Sequence, residues 1–175
     1  MTAKSKTIGI LLASTVVLDQ VSKIIVDRTL PLHVSIPVIE NFFSLTYIRN
    51  KGAAFGMLAT SHEMFRLSFL IAFSLLAIGF LITVLRRLPQ HERTLTVALT
   101  LILGGAVGNL IDRFLYGEVI DFLDFYWSRF HWPAFNLADS FITIGVTITL
   151  YRLVTAKGED PFAPTTKRMN SGAVN

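Results

Sequence analysis

Four stretches of this chain, at about residues 7–26, 64–85, 94–111 and 136–153, are apolar over roughly the 20 residues that a helix needs to cross a hydrocarbon core. Lipid offers the backbone no hydrogen-bond partners, so runs of this length and polarity are restricted to helices. Composition agrees: 52% of the residues are hydrophobic and 16% charged, against about 25% charged in soluble domains. The expectation is an all-α membrane protein with four transmembrane helices. Lys4 and Lys6 ahead of the first run imitate a secretory signal. Asp19, Gln20, Ser22 and Lys23 then stand where small cleavage-site residues would be needed, so the run reads as an uncleaved first span.

The segments between the spans differ in kind. Residues 31–58 hold two short β-like runs, expected to form a small extracytoplasmic cradle. One covers 32–39 and opens at Pro31. In the other, 42–48, Phe43, Leu45 and Tyr47 alternate with Ser44, Thr46 and Ile48. A turn, Asn50-Lys51-Gly52-Ala53-Ala54-Phe55-Gly56, follows. A tight basic loop at 86–93 joins the second and third spans. Residues 112–135 form an aromatic outer loop, expected to be short and helical. Residues 1–156 read as one membrane-embedded domain, and 157–175, aperiodic and rich in Gly, Pro, Thr and Ser, as a disordered cytoplasmic tail.

The net charge of +4 flanks apolar segments, so it reads as an orientation signal and no nucleic-acid partner is expected. Lys4, Lys6, Arg86, Arg87, Arg93, Arg152, Lys157, Lys167 and Arg168 fall on one side. Arg28, Arg49, Lys51, Arg113 and Arg129 fall on the other, spread over more residues. The positive-inside rule then puts both termini in the cytoplasm. Asp19, about 13 residues past Lys6, sits roughly 20 Å up a core about 30 Å thick. Asn109 and Asp112 end an outward span, Asp139 begins an inward one, and Asp121 lies in the outer loop. The polar groups at or beside the spans therefore share the outer leaflet.

A carboxylate within a bilayer-length helix is costly and usually faces the protein interior to serve a function. There are no cysteines, which removes thiolate chemistry. The histidines, His33, His62, His91 and His131, lack the His-Glu-x-x-His spacing of membrane metalloproteases. His131 with Asp121 and Asp124 is the combination that could hold a metal; none is expected, and no cofactor. Ser22 and Lys23 are adjacent in a helix and point about 100° apart, so they do not form a dyad. Gly104 and Gly108 have the spacing of close helix packing. Acid chemistry remains. Two neighbouring carboxylates cannot both ionise cheaply and share a proton, one acting as base on a water and the other as acid.

Asp19, Asp112, Asp121, Asp124 and Asp139 could supply such a pair, and each has a structural alternative. Asp139 could complete a capping box begun by Asn136. Asp19 could pair with Lys23 one turn on. Asp112 could cap its helix or pair with Arg113, and Asp121 and Asp124 could be solvated loop charges.

The order of these residues resembles the signal peptidase II family, the lipoprotein signal peptidases of bacteria. The resemblance spans about residues 12–145 and rests on Asp19-Gln20-Val21-Ser22-Lys23, on Asn50 to Gly56, on Gly104-Gly105-Ala106-Val107-Gly108-Asn109-Leu110-Ile111-Asp112-Arg113, on Gly117-Glu118-Val119-Ile120-Asp121-Phe122, and on Phe135-Asn136-Leu137-Ala138-Asp139-Ser140. It implies an aspartyl endopeptidase with Asp121 and Asp139 as the catalytic pair. Asn50, Gly52, Asn109, Asp112, Arg113, Asn136 and Ala138 would support the pair or the substrate, and Asp19 and Lys23 would act structurally. It also implies a prolipoprotein substrate, cut before a diacylglyceryl-modified cysteine at the outer face of the bacterial cytoplasmic membrane. Membrane lipids are the other expected partner, and a monomer is expected. A proton-coupled transporter is disfavoured, because the inner halves of the second and third spans carry only threonines as polar groups. A non-catalytic scaffold would leave the aspartates and asparagines without purpose.

Overall fold

The structure, a computed structural model, describes residues 2–52 and 62–156. Four helices carry the expected spans: α1 (Ala3–Thr29), α2 (Glu63–Arg87), α3 (Arg93–Tyr116) and α4 (Leu137–Thr155). Each is long and apolar enough to cross a membrane. All four run beyond at least one end of their apolar stretch, because polar residues at a span end can continue the helical ladder into the interface. Residues 53–58 of the β-like region, with Phe55, and residues 157–175 lie outside the described residues.

Four strands form an antiparallel sheet in the order β1 (Ser35–Ile39), β2 (Phe43–Asn50), β3 (Val119–Trp127) and β4 (Phe130–His131). The aromatic outer loop is thus strand where a short helix was expected. α3 stops at Gly117, whose φ of 73° is the left-handed conformation that closes a helix, with its amide on Arg113 O. The following run, Val119 to Trp127, is dense in β-branched and aromatic side chains, which suit a pleated surface. It pairs with β2, and a bulge between Leu45 and Ile48 interrupts the strict alternation of the β2 run.

Tyr47 of β2 is buried. Its ring packs with Val26, Ile120 and Phe122 under the sheet, and its hydroxyl bonds Asp27 at the end of α1. Arg49 donates to the same Asp27 at 2.7 Å. Sheet and bundle are thereby fastened together at the end where α1 stops.

α3 is the axis of the bundle and packs on the other three helices. The glycine spacing does what small residues do in membranes, letting backbones approach. Gly104 and Gly108 face Thr15 and Asp19 of α1, and Gly105 faces the Ala138 carbonyl of α4. α2 meets the bundle on one side only and exposes Phe65, Phe69, Phe73, Leu76 and Phe80. At the end remote from the sheet, Leu81, Leu85, Leu88, Leu95 and Leu103 form an apolar cluster. Lys4 donates to the terminal carbonyls of Leu85 and Leu88, a cation on the negative end of α2. Arg152 meets Glu92 at 3.1 Å and ties α4 to the start of α3.

Candidate active site

At the sheet end, three elements converge. The chain enters α4 through a bridge between Leu123 and Phe135, in which Phe135 O accepts from Phe122 N at 2.9 Å and Leu123 N at 2.8 Å. The next residue, Asn136, is thereby set against β3 and caps α4. Its side chain accepts from Asp139 N at 3.0 Å, and Asp139 Oδ2 accepts from Asn136 N at 3.3 Å, a complete capping box. The same Asn136 donates its Nδ2 to Asp121 Oδ1 at 2.7 Å. One fully buried asparagine therefore holds both carboxylates, one by its amide side chain and one by its backbone.

Further donors complete the pair. Asn50, at the end of β2, gives its Nδ2 to Asp121 Oδ2 at 2.9 Å, and its Oδ1 accepts from Gly52 N at 3.0 Å, which orients the amide. Asn109 on α3 gives its Nδ2 to Asp139 Oδ1 at 2.8 Å. Its Oδ1 accepts from Lys23 Nζ at 3.0 Å and from Asn136 at 3.2 Å. Lys23 thus selects the amide rotamer that presents a donor to Asp139.

Lys23 is almost wholly buried and meets Asp19 Oδ2 at 2.8 Å and Asp112 Oδ2 at 2.9 Å. The expected pairing of Asp19 with Lys23 is present. Asp112, for which capping its helix and pairing with Arg113 were the alternatives, takes a different charged partner. It joins Lys23, and its Oδ2 also accepts from Ile120 N at 3.1 Å, which ties β3 to the end of α3. The other oxygen of Asp19 accepts from Ala138 N at 2.9 Å at the start of α4. Gln20 donates to Asp112 Oδ1 at 2.9 Å, to Gly108 O at 3.2 Å and to Asp19 at 3.2 Å. Sequence reasoning gave Gln20 no role. The available signal was a third polar residue beside Asp19 and Lys23 in an otherwise apolar span.

A cavity of about 600 Å³ opens beside the pair, lined by Asp121, Asp139, Asn50, Asn109, Arg113 and Trp132 among others. Its wall is mostly apolar with a few convergent polar groups, the usual make-up of a ligand site. Arg113 donates to Asn109 O at 3.1 Å and brings its charge to this wall. Asp121 is 2% exposed. Burial, and next the neighbouring Asp139 carboxylate, push its carboxyl up to about 7 against the pull of the Asn50 and Asn136 donors. Asp124, three residues on, belongs to the opposite face of the strand and meets His131 Nδ1 at 3.0 Å. Among the described residues no three acidic or histidine side chains converge as a metal site would require. Ser22 donates to Asp19 O at 2.7 Å, away from any partnership with Lys23.

Four membrane-length helices with a sheet-rimmed carboxylate pair beside a cavity at one end define a multi-pass membrane protein. The chain belongs to the signal peptidase II family, whose model, described as signal peptidase (SPase) II, matches residues 11–155. A lipoprotein signal peptidase of Geobacter sulfurreducens is 52% identical over 134 residues, 77% of this chain and 82% of that protein. One of Geobacter metallireducens is 53% identical over 140 residues, covering 80% and 85%. A solved structure described as a bacterial membrane enzyme superposes with a TM-score of 0.78 at 34% identity, over 87% of this chain and 90% of that one.

Proposed function

We propose that this chain removes the signal peptide from prolipoproteins as an aspartic endopeptidase, with Asp121 and Asp139 as its catalytic pair. The observation that carries the assignment is Asn136, which bonds both carboxylates at the edge of one cavity. Asp121, raised to about 7, holds the shared proton near neutral pH. Asp139, which accepts from Asn109 Nδ2 and Asn136 N, is assigned the role of base. A water placed between them gives a proton to Asp139 as its oxygen bonds the scissile carbonyl carbon. Asp121 passes its proton to the carbonyl oxygen. Collapse of the diol breaks the C–N bond: the amine leaves with the proton from Asp139, and Asp121 recovers one from a diol hydroxyl. Arg113 and the asparagines stabilise the polar intermediate from the wall.

The substrate reading follows the relatives' names, lipoprotein signal peptidase. Cleavage before the lipidated cysteine suits a site at a bilayer surface, where an acyl-anchored residue holds the adjacent peptide bond. Lys4, Arg86, Arg87, Arg93 and Arg152 gather at the end opposite the cavity, so the positive-inside rule favours that end in the cytoplasm and the pair at the outer face of the bacterial cytoplasmic membrane. The test is turnover of a diacylglyceryl-modified prolipoprotein by the purified Asp121→Asn and Asp139→Asn variants. Each should lose about 10³-fold or more, since asparagine can neither share the proton nor act as base. The helical signal and melting behaviour should stay close to the parent. Parental turnover by either variant refutes the assignment.

A further inference from the structure

The end of the bundle remote from the carboxylates carries a second cavity, of about 480 Å³, between α1 and α2. Its depth is apolar: Ile8 and Leu12 from α1, Ile82 and Leu85 from α2, with Leu103 of α3 as floor. Its mouth is polar and cationic, with Lys4, Arg86 and Gln90 beside Thr2 and Ser5. Among the described residues no carboxylate lines it. From Lys4 to Leu12 the groove follows α1 for about 12 Å at 1.5 Å per residue, close to the depth of one leaflet of a core about 30 Å thick. Cation at the surface and hydrocarbon below is the inverse image of an anionic glycerophospholipid.

We infer that this groove is a binding site for an anionic glycerophospholipid, one acyl chain lying on Leu12 and Leu103 and the headgroup phosphate between Lys4 and Arg86. Two features make it a site and not a stretch of annular contact. The groove is a gap between two helices floored by a third, so a chain within it has protein on three sides. The Lys4 ammonium has three N–H donors. Two go to the Leu85 and Leu88 carbonyls, which anchors the charge at the mouth and leaves the third for a phosphate oxygen. Basic pockets between helices at the cytoplasmic surface are the usual places where anionic headgroups are recognised. The bound lipid would fill the space that keeps the ends of α1 and α2 apart, making it a structural part of the bundle.

The experiment is native mass spectrometry of the full chain in detergent, titrated in parallel with phosphatidylglycerol, with phosphatidylcholine of the same chains, and with soluble glycerol phosphate. One phosphatidylglycerol should be retained per chain in preference to phosphatidylcholine. Arg86→Gln should weaken that retention about fivefold, the effect of one cation near the headgroup. Arg93→Gln, a charge lost at the same end but outside the groove, should leave it unchanged. Leu12→Trp should fill the groove and abolish retention, while Asp121 and Asp139 still turn over substrate in the same preparation. Equal retention of the two lipids, equal losses from Arg86→Gln and Arg93→Gln, or displacement of lipid by glycerol phosphate alone would each overturn the proposal.

Discussion

The two ends of this bundle are built from the same four helices by opposite means. At the sheet end, Asp19, Lys23, Asp112, Asp121 and Asn136 are buried together and satisfied by one another. At the other end, Leu81, Leu85, Leu88, Leu95 and Leu103 fill the same kind of space with no polar atom in their side chains. Packing alone would be served by the second solution, since a buried ion network is at best a neutral substitute for well-packed hydrocarbon. The polar end is therefore explained by what it positions. Its members fix the start of α4, the end of α3 and the middle of β3 relative to one another. Two carboxylates from elements 18 residues apart in sequence are held to the same asparagine as a result.

That contrast is broken most severely at Lys23. Lys23→Leu leaves the Asp19 and Asp112 carboxylates buried without their counter-charge, and removal of one partner from such a cluster costs about 3–5 kcal/mol. It also frees the Asn109 amide, so Asp139 loses an assured donor. Thermal unfolding in detergent should shift strongly downward and turnover should fall with it. In the triple variant Lys23→Leu, Asp19→Asn, Asp112→Asn, stability should recover further than activity. Recovery of both together would show that the network serves packing alone.

The apolar end is the control. Leu85→Ala removes a side chain that is 3% exposed within the leucine cluster and should cost about 2–5 kcal/mol of stability. Turnover per folded molecule and its pH profile should be unchanged, because no residue of the leucine cluster lines the cavity beside the carboxylates. An altered profile would mean that the two ends are coupled through α3.

A third test sharpens the role of Asp121. Its folded carboxyl titrates at about 7, far above the value of about 3.9 for a free aspartate. Below about 7 the pair keeps its shared proton, and above it the proton is lost. The rate constant kcat/KM should fall about tenfold per pH unit on that limb. Stability has the same sign: the protonated form is favoured by the fold, so the contribution is whole below about pH 4 and is lost as pH rises through 7. Asp121→Asn should flatten this part of the stability curve. A parental enzyme with constant activity from pH 7 to 9 would remove the proton from Asp121.

Much of this was readable beforehand for physical reasons. Four apolar runs permit only helices, and charge asymmetry with span parity placed Asp19, Asn109, Asp112, Asp121 and Asp139 at one level. The capping box of Asn136 and Asp139 is a local pattern and was visible as such. It had been weighed as an alternative to a functional role, and the geometry lets one residue do both. Three features were not legible. The strand Val119 to Trp127 pairs along most of its length with β2, some 70 residues earlier, and no local signal reports a partner that distant. Tyr47 is buried with its hydroxyl on Asp27, 20 residues earlier on α1, a contact that no local pattern announces. The partner of Asp112 could not be read either: Arg113 was adjacent in sequence, whereas Lys23 lies on another helix and needs Gly108 to let that helix approach.

That last dependence gives the smallest and most local test. A methyl group on Gly108 would collide with Asp19 Oδ2 and touch the Ala138 side chain, whereas one on Gly79 would meet nothing within 4 Å. Both substitutions are glycine to alanine in a membrane helix, and both raise helix propensity by up to about 1 kcal/mol. Gly79→Ala should therefore be neutral or slightly stabilising. Gly108→Ala forces α1 and α3 apart, an overpacking penalty of about 1–3 kcal/mol. It also displaces Asp19 from the Ala138 amide, so part of its effect should appear as lost turnover in molecules that remain folded. If Gly108→Ala lowers stability but not turnover per folded molecule, the bond from Asp19 to α4 holds the bundle together without setting the carboxylates. If the two variants behave alike, the close approach of α1 and α3 is not what the glycine provides.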